Sequence, residues 1–188
     1  MNHILVWQHA KITRWTLELL DVQPHERLLD VGCGNGVAVK LMAERAVDGF
    51  VAGIDYSPVS VDMAIKRNAD AIKAKKIAIS EEDVLHLPYE ERSFDAVCSL
   101  ESFYFWGDHI AGLKETLRVL KEGGRILIVM ELAKDGSNPE KKRKVAESIN
   151  CPIFSAREVA EMLEAAGFRQ PSYDMDPKTE WVYIRAIR

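Results

Sequence analysis

The chain has 188 residues, 47% of them hydrophobic and 29% charged, with a formal net charge of -4. That is the size and composition of one soluble globular domain with its own core, and the acidic balance argues against a broad nucleic-acid footprint. Three scattered cysteines, Cys33, Cys98 and Cys151, without C-x-x-C spacing, and the lack of a signal peptide or a bilayer-long apolar run, lead us to expect a cytoplasmic protein.

In chain order, residues 1–26 come first, with Trp7, Ile12 and Trp15 spaced as an apolar helical stripe. Nearly continuous apolar runs follow at 27–32, 50–55, 76–80, 94–100 and 125–132, the pattern of parallel strands buried on both faces. Between them, Ser57 and Pro58 start a helix carrying Val61, Ile65, Ala69 and Ile72. Asp108 starts another, with Ile110, Leu113, Leu117 and Leu120, which Gly123-Gly124 is expected to end. The polar stretch from 134 reads as an insertion or surface helix, and its "EKKRK" (140–144) as a solvated face rather than an RNA patch. Ser155 and Glu158 have capping-box spacing ahead of a helix that Gly167 stops, and 181–187 alternates like a strand. The sum is an α/β, doubly wound, mostly parallel sheet in a single domain spanning 1–188, with ligands expected beyond the carboxyl ends of its strands.

The first strand runs into "LLDVGCGNG" (28–36), where Gly32, Gly34 and Gly36 let a ligand approach the main chain. A dinucleotide fingerprint would need a third glycine at Val37, and no P-loop lysine follows. Asp55 ends the second strand, where a carboxylate can accept both hydroxyls of a ribose. Asp83, beside apolar Val84, suits an adenine amino group. With an acid, Asp30, next to the loop and no cation for a phosphate, the ligand that fits is an adenosine with a positive end, such as S-adenosylmethionine. The five histidines lack metal-ligand spacing, so no metal is expected.

These segments, together with "GIDYS", "EEDVLHLPYEERSFDAV" and "ETLRVLKEGGRILIV", resemble the successive motifs of class I S-adenosylmethionine-dependent methyltransferases, in particular the type 11 group of small-molecule enzymes, over roughly 28–132. The resemblance implies a Rossmann-like sheet of seven strands, the last antiparallel (181–187) with 172–175 as its partner. It sets the methionine part of the cofactor against Gly32, Cys33 and Gly34 with Gly36 completing the loop, and Asp30 near the amino group. It gives Asp55 the ribose, Tyr56 one adenine face, Asp83 the adenine amino group and the Val84 backbone a ring nitrogen.

Glu101, at the end of the fourth strand, and Tyr104 are the candidate catalytic residues; Glu101 is placed to orient an acceptor amine or take its proton, or else is a solvated or capping acid. Tyr104 and Trp106 are candidate walls of the acceptor pocket, and His109 reads as an exposed first-turn residue. Residues 1–26 and 134–153 are expected to cover that pocket. The expected partner is a small-molecule acceptor, with neither nucleic acid nor membrane; the oligomeric state is open. Two rivals stand beside methyl transfer: a nicotinamide-dependent oxidoreductase on a similar sheet, and a non-catalytic module that binds the cofactor and regulates.

Overall fold

The computed structural model describes residues 3–188, with side chains from Ala10 onward. Seven strands form one sheet in the order β3-β2-β1-β4-β5-β7-β6. β1 (Arg27–Val31), β2 (Phe50–Asp55), β3 (Ile77–Glu81), β4 (Phe94–Leu100) and β5 (Leu120–Met130) are parallel, while β7 (Val182–Ile187) runs antiparallel to β5 and to β6 (Arg169–Met175). The chain winds outward from β1 through β2 to β3, then returns to lay β4 on the other side of β1. The crossovers therefore diverge between β1 and β4, which opens a crevice at their carboxyl ends.

Both faces of the sheet are covered, which is why the central strands read as apolar throughout. On one face Leu28, Val51, Cys98, Leu127 and Val129 pack with Ile12, Leu17 and Leu20 of α1 (His3–Leu20) and Val39 and Met42 of α2 (Val37–Arg45). On the other, Leu29, Val31, Val97, Ile126 and Ile128 meet Leu113 of α5 (His109–Val119) and Val159 and Leu163 of α7 (Ala156–Ala166). The expected caps form: Asp108 accepts the Ala111 N–H at 3.0 Å, the Ser155–Glu158 capping box closes, and Gly167 takes φ 105°.

Three expectations shift. The helix after Ser57 is broken at Asn68 into α3 (Pro58–Arg67) and α4 (Ala69–Lys73), because buried Asn68 donates its amide N–H groups to Gly36 O at 3.1 Å and Ala64 O at 2.9 Å. Ile65 is 40% exposed, and Val61 and Ala64 carry the buried face of α3. α5 stops at Val119, since Leu120 pairs with Phe94 as part of β5 and Gly123 turns within that strand. The released carbonyls of Leu117, Arg118 and Leu120 are gathered by the Arg188 guanidinium at 2.9, 2.9 and 2.5 Å. Finally, β6 begins at Arg169 rather than 172, with an irregularity between Arg169 and Ser172.

α1 lies across the sheet, against α2, β4 and β5. Its C-terminus is held where Arg125 donates to Leu20 O at 2.7 Å and to Glu26 at 2.6 Å, and Trp15 packs on Trp181 and Tyr183 with ring centroids 5.9 and 5.8 Å apart. The Trp7 side chain lies outside the described residues. α6 (Pro139–Ser148) is fastened to the β6–β7 connection: Lys142 bonds Asp135 O at 2.8 Å and pairs with Glu180 at 3.5 Å. Arg143 of the basic run pairs with Glu140 at 2.6 Å on the same helix. No described helix is long and apolar enough to cross a membrane.

Candidate active site

A cleft of about 560 Å³ opens at the divergence of the crossovers. It draws on Val31, Gly32 and Gly34 after β1, on Ile54, Asp55 and Tyr56 at the end of β2, on Glu82, Asp83 and Val84 after β3, and on Glu101, Ser102, Phe105 and Trp106 after β4. Among the described residues, its charged lining, Asp55, Glu82, Asp83 and Glu101, is all acidic.

The three glycines have three different reasons. Gly32 (φ 76°) and Cys33 both donate their N–H to Ile54 O at 2.8 Å, which folds the loop over β2; a Cβ on Gly32 would run into the Ser102 side chain. Gly36 (φ 75°) precedes α2, and a Cβ there would strike Asn68 and Ala64. Only Gly34 faces open space. Cys33 and Gly36 are thus not among the lining residues. Cys33 is buried beside α2, its thiol pushed well up by burial and by the charges of Asp30 and Asp55.

Asp55 is buried, its Oδ2 accepting the Gly34 N–H at 2.8 Å and its Oδ1 the Ser57 N–H at 2.9 Å. Each oxygen keeps lone-pair capacity for a ligand hydroxyl. The Tyr56 ring is 69% exposed at the mouth. Asp83 is exposed, its Oδ1 accepting the Leu85 N–H at 2.9 Å, while Val84 is buried. Asp30 is wholly buried in β1 between Gly53 and Cys98, one oxygen without a partner, and burial followed by the charge of Asp55 pushes its carboxyl up to about 7.

Glu101 leaves β4 in the left-handed region, φ 57°, an uncommon conformation for a side-chain-bearing residue and one that concentrates at functional sites. Its Oε1 accepts the Glu131 backbone N–H and its carboxylate is hydrogen-bonded to Tyr104. Burial raises it to about 7, against the lowering effect of those two bonds. Tyr104 is buried and does not line the cleft; burial and Glu101 push its hydroxyl far above the usual phenol range. It touches the site through Glu101.

Sequence reasoning missed Ser102. Its hydroxyl donates to Val31 O at 2.5 Å and meets Ser99 Oγ at 2.7 Å, joining the ends of β1 and β4 directly under the glycine loop. Nothing local marks it; only the strand order brings residues 31 and 102 together. Phe105, 47% exposed at the rim, was also missed. His109 corrects an expectation: it is half-buried, its ring 4.8 Å from both Phe103 and Phe154, and burial lowers its pKa.

The chemistry of this donor set fits an adenosine with a cationic arm. Asp55 and Asp83 offer acceptors, Gly34 leaves room at the main chain, and the unpartnered oxygen of Asp30 lies buried beneath the loop. A pyrophosphate would meet four carboxylates and, among the described residues of the lining, no cation.

The kinships agree. The chain is 26% identical over 167 residues to an uncharacterised methyltransferase, YdaC, of Bacillus subtilis, covering 89% of this chain and 84% of that protein. It is 33% identical over 168 residues to the 27-O-demethylrifamycin SV methyltransferase of Amycolatopsis mediterranei, covering 87% of this chain but 61% of that enzyme. A crystal structure of a SAM-dependent methyltransferase from Aquifex aeolicus superposes with a TM-score of 0.75 at 20% identity, over 93% of this chain and 88% of that one, a likeness of fold. Residues 29–128 match the family model described as a methyltransferase domain, which spans β1 to most of β5 and hence every strand end that builds the cleft. With that match added to the strand order and the acid-lined crevice, the chain belongs to the type 11 methyltransferase-domain family of class I S-adenosylmethionine-dependent methyltransferases.

Proposed function

We propose that this protein transfers a methyl group from S-adenosylmethionine to a small-molecule acceptor in the cytoplasm. The observation that carries the reading is a cleft with Gly34 open beneath it and, among the described residues, carboxylates as its charged lining, suited to a ligand with a sulfonium and an ammonium and no phosphate. When bound, the cofactor supplies an activated methyl group on a positively charged sulfur. On this reading Asp55 holds the ribose hydroxyls, Tyr56 and Val84 flank the adenine, Asp83 takes its amino group, and Asp30 balances the ammonium charge. Gly32 and Gly34 shape the loop along the methionine arm, with Cys33 and Gly36 supporting it from behind. Glu101 stands at the acceptor end with Phe105 and Trp106. Methyl transfer is an in-line displacement, so the protein's main tasks are alignment and exclusion of water.

A thermal melt tests the cofactor. S-adenosylmethionine or S-adenosylhomocysteine will raise the melting temperature as its concentration passes Kd, and NAD will not. Asp55→Ala will weaken that binding by about 1–3 kcal/mol, the worth of a charged hydrogen-bond partner. Stabilisation by NAD alone would return the oxidoreductase reading, and cofactor binding without any acceptor turnover would favour the regulatory module.

The same reading makes 134–153 a movable cover; of the other segment expected over the pocket, 1–26, the residues Ile12, Leu17 and Leu20 are packed in the core and no described residue lines the cleft. The support for the cover is topological: the connection after β5 leaves from the carboxyl edge, and Cys151 comes near Glu101 and Tyr104. Amide hydrogen exchange will show 134–153 gaining protection with S-adenosylhomocysteine; a response confined to 30–36 and 55–57 would rule the cover out.

A further inference from the structure

We infer that the acceptor atom is the nitrogen of a cationic amine, seated against the Glu101 carboxylate and methylated there. This deepens the proposed function and rests on it. Three observations carry it. Among the described residues, the charged groups lining the cleft are all carboxylates, so an acceptor bearing phosphate or carboxylate at the transfer end is repelled and an ammonium is drawn in. Glu101 is the lining acid on the β4 side, held in place by the Tyr104 hydroxyl and the Glu131 N–H. Beside it stand the aromatic Phe105, half exposed at the rim, and Trp106, faces of the kind that accept a cation.

Burial then favours the chemistry. An ammonium beside a buried carboxylate is a pair of charges in a poor solvent, and moving one proton from nitrogen to Glu101 removes both at once. The raised affinity of Glu101 for protons acts in that direction. The free amine lone pair forms the N–C bond, and the C–S bond breaks with its electron pair going to sulfur. The proton stays on Glu101 until it exchanges with solvent, and the product leaves as a methylated ammonium. A phenol or alcohol gains nothing comparable, because its proton transfer only moves a negative charge from Glu101 onto the acceptor and removes no pair of charges. Tyr104 is a positioning residue: its hydroxyl steadies the ionised form of Glu101. Among the described residues, the other titratable groups near Glu101 are Glu131, after β5, and Cys151, after α6.

The test measures release of S-adenosylhomocysteine from S-adenosylmethionine with aliphatic and aromatic amines and imidazoles, each matched to a phenol, alcohol, thiol and carboxylate of the same skeleton. Amines will be the acceptors, and Glu101→Gln will lower kcat on the order of a hundredfold while the cofactor's thermal shift stays at the wild-type level. In wild type, kcat/KM for the amine will fall off below a pH near 7, as Glu101 becomes protonated. Tyr104→Phe will move that acid limb upward, because it removes a bond that favours the carboxylate. Preference for phenols, thiols or carboxylates, full activity in Glu101→Gln, or no amine accepted above the acceptor-free rate would each overturn the inference. If the cofactor's thermal shift persists in those cases, the methyltransferase reading stands and only the acceptor class is wrong; if that shift is missing from wild type, the broader reading fails first.

Discussion

Gly32→Ala will leave a protein that is largely unfolded at temperatures the wild type tolerates. The residue sits at φ 76°, where a side chain costs about 1–2 kcal/mol, and its new Cβ would overlap the Cβ and Oγ of Ser102. Ser102 cannot swing aside cheaply, since its hydroxyl is committed to Val31 O and Ser99. Adding an overpacking cost of about 1–3 kcal/mol gives a loss on the order of 2–5 kcal/mol, a large part of a typical domain's stability. Denaturant unfolding measures it. The double variant with Ser102→Gly separates the causes: the clash is relieved and the backbone strain remains, so part of the loss returns. If none returns, the contact with Ser102 is not what forbids the side chain.

Asp30→Asn will have the opposite sign in the ligand-free protein. Asp30 has its folded pKa raised from 3.8 to about 7, by burial first and by Asp55 second. A raised carboxyl contributes its full share of stability below pH 3.8 and loses it as pH rises through about 7, because folding then requires a buried charge. Asparagine has no charge to bury. The variant's advantage over wild type should be small near pH 4 and grow to on the order of 2–4 kcal/mol by pH 8. The reverse holds with cofactor bound, since an ammonium near Asp30 favours the ionised form; wild-type affinity should climb through pH 7 and that of the variant stay flat. Melting curves and binding isotherms at pH 5 and pH 8 decide it. Equal stabilities at both would mean that Asp30 is solvated in a way its buried, unpartnered oxygen does not suggest.

The parts of the site legible in the sequence are those made by one strand end and the turn that follows it. Asp55 and the glycine loop belong to that class, because a parallel strand buried on both faces must deliver its next residues to the carboxyl edge. The caps at Asp108 and Ser155 are legible for a similar reason: the bond lies within three residues. What escaped depends on neighbours remote in sequence. The helix break at Asn68 is set by Gly36 O, 32 residues away, and the close of α5 by pairing with Phe94 and by Arg188. Periodicity alone read Ile65 as core, whereas Val61 and Ala64 carry the buried face of α3. The division of labour among Gly32, Gly34 and Gly36 was hidden too, since three identical residues on alternate positions look alike until Ser102 and Asn68 are beside them.

The strand order divides the sheet into two halves, β1 to β3 and β4 to β7, whose strands meet at the β1–β4 ladder, reinforced by the Ser102 hydroxyl bond to Val31 O. The cleft takes Asp55 and Asp83 from the first half and Glu101 and Trp106 from the second. A ligand filling it therefore acts as a splint across a seam in the folding topology. The seam closes only when the chain has returned over some seventy residues, which makes it one of the non-local pairings that are slow to form. Cofactor bound there should lengthen the life of the native state by slowing the opening of the seam, with little effect on how fast the halves first come together.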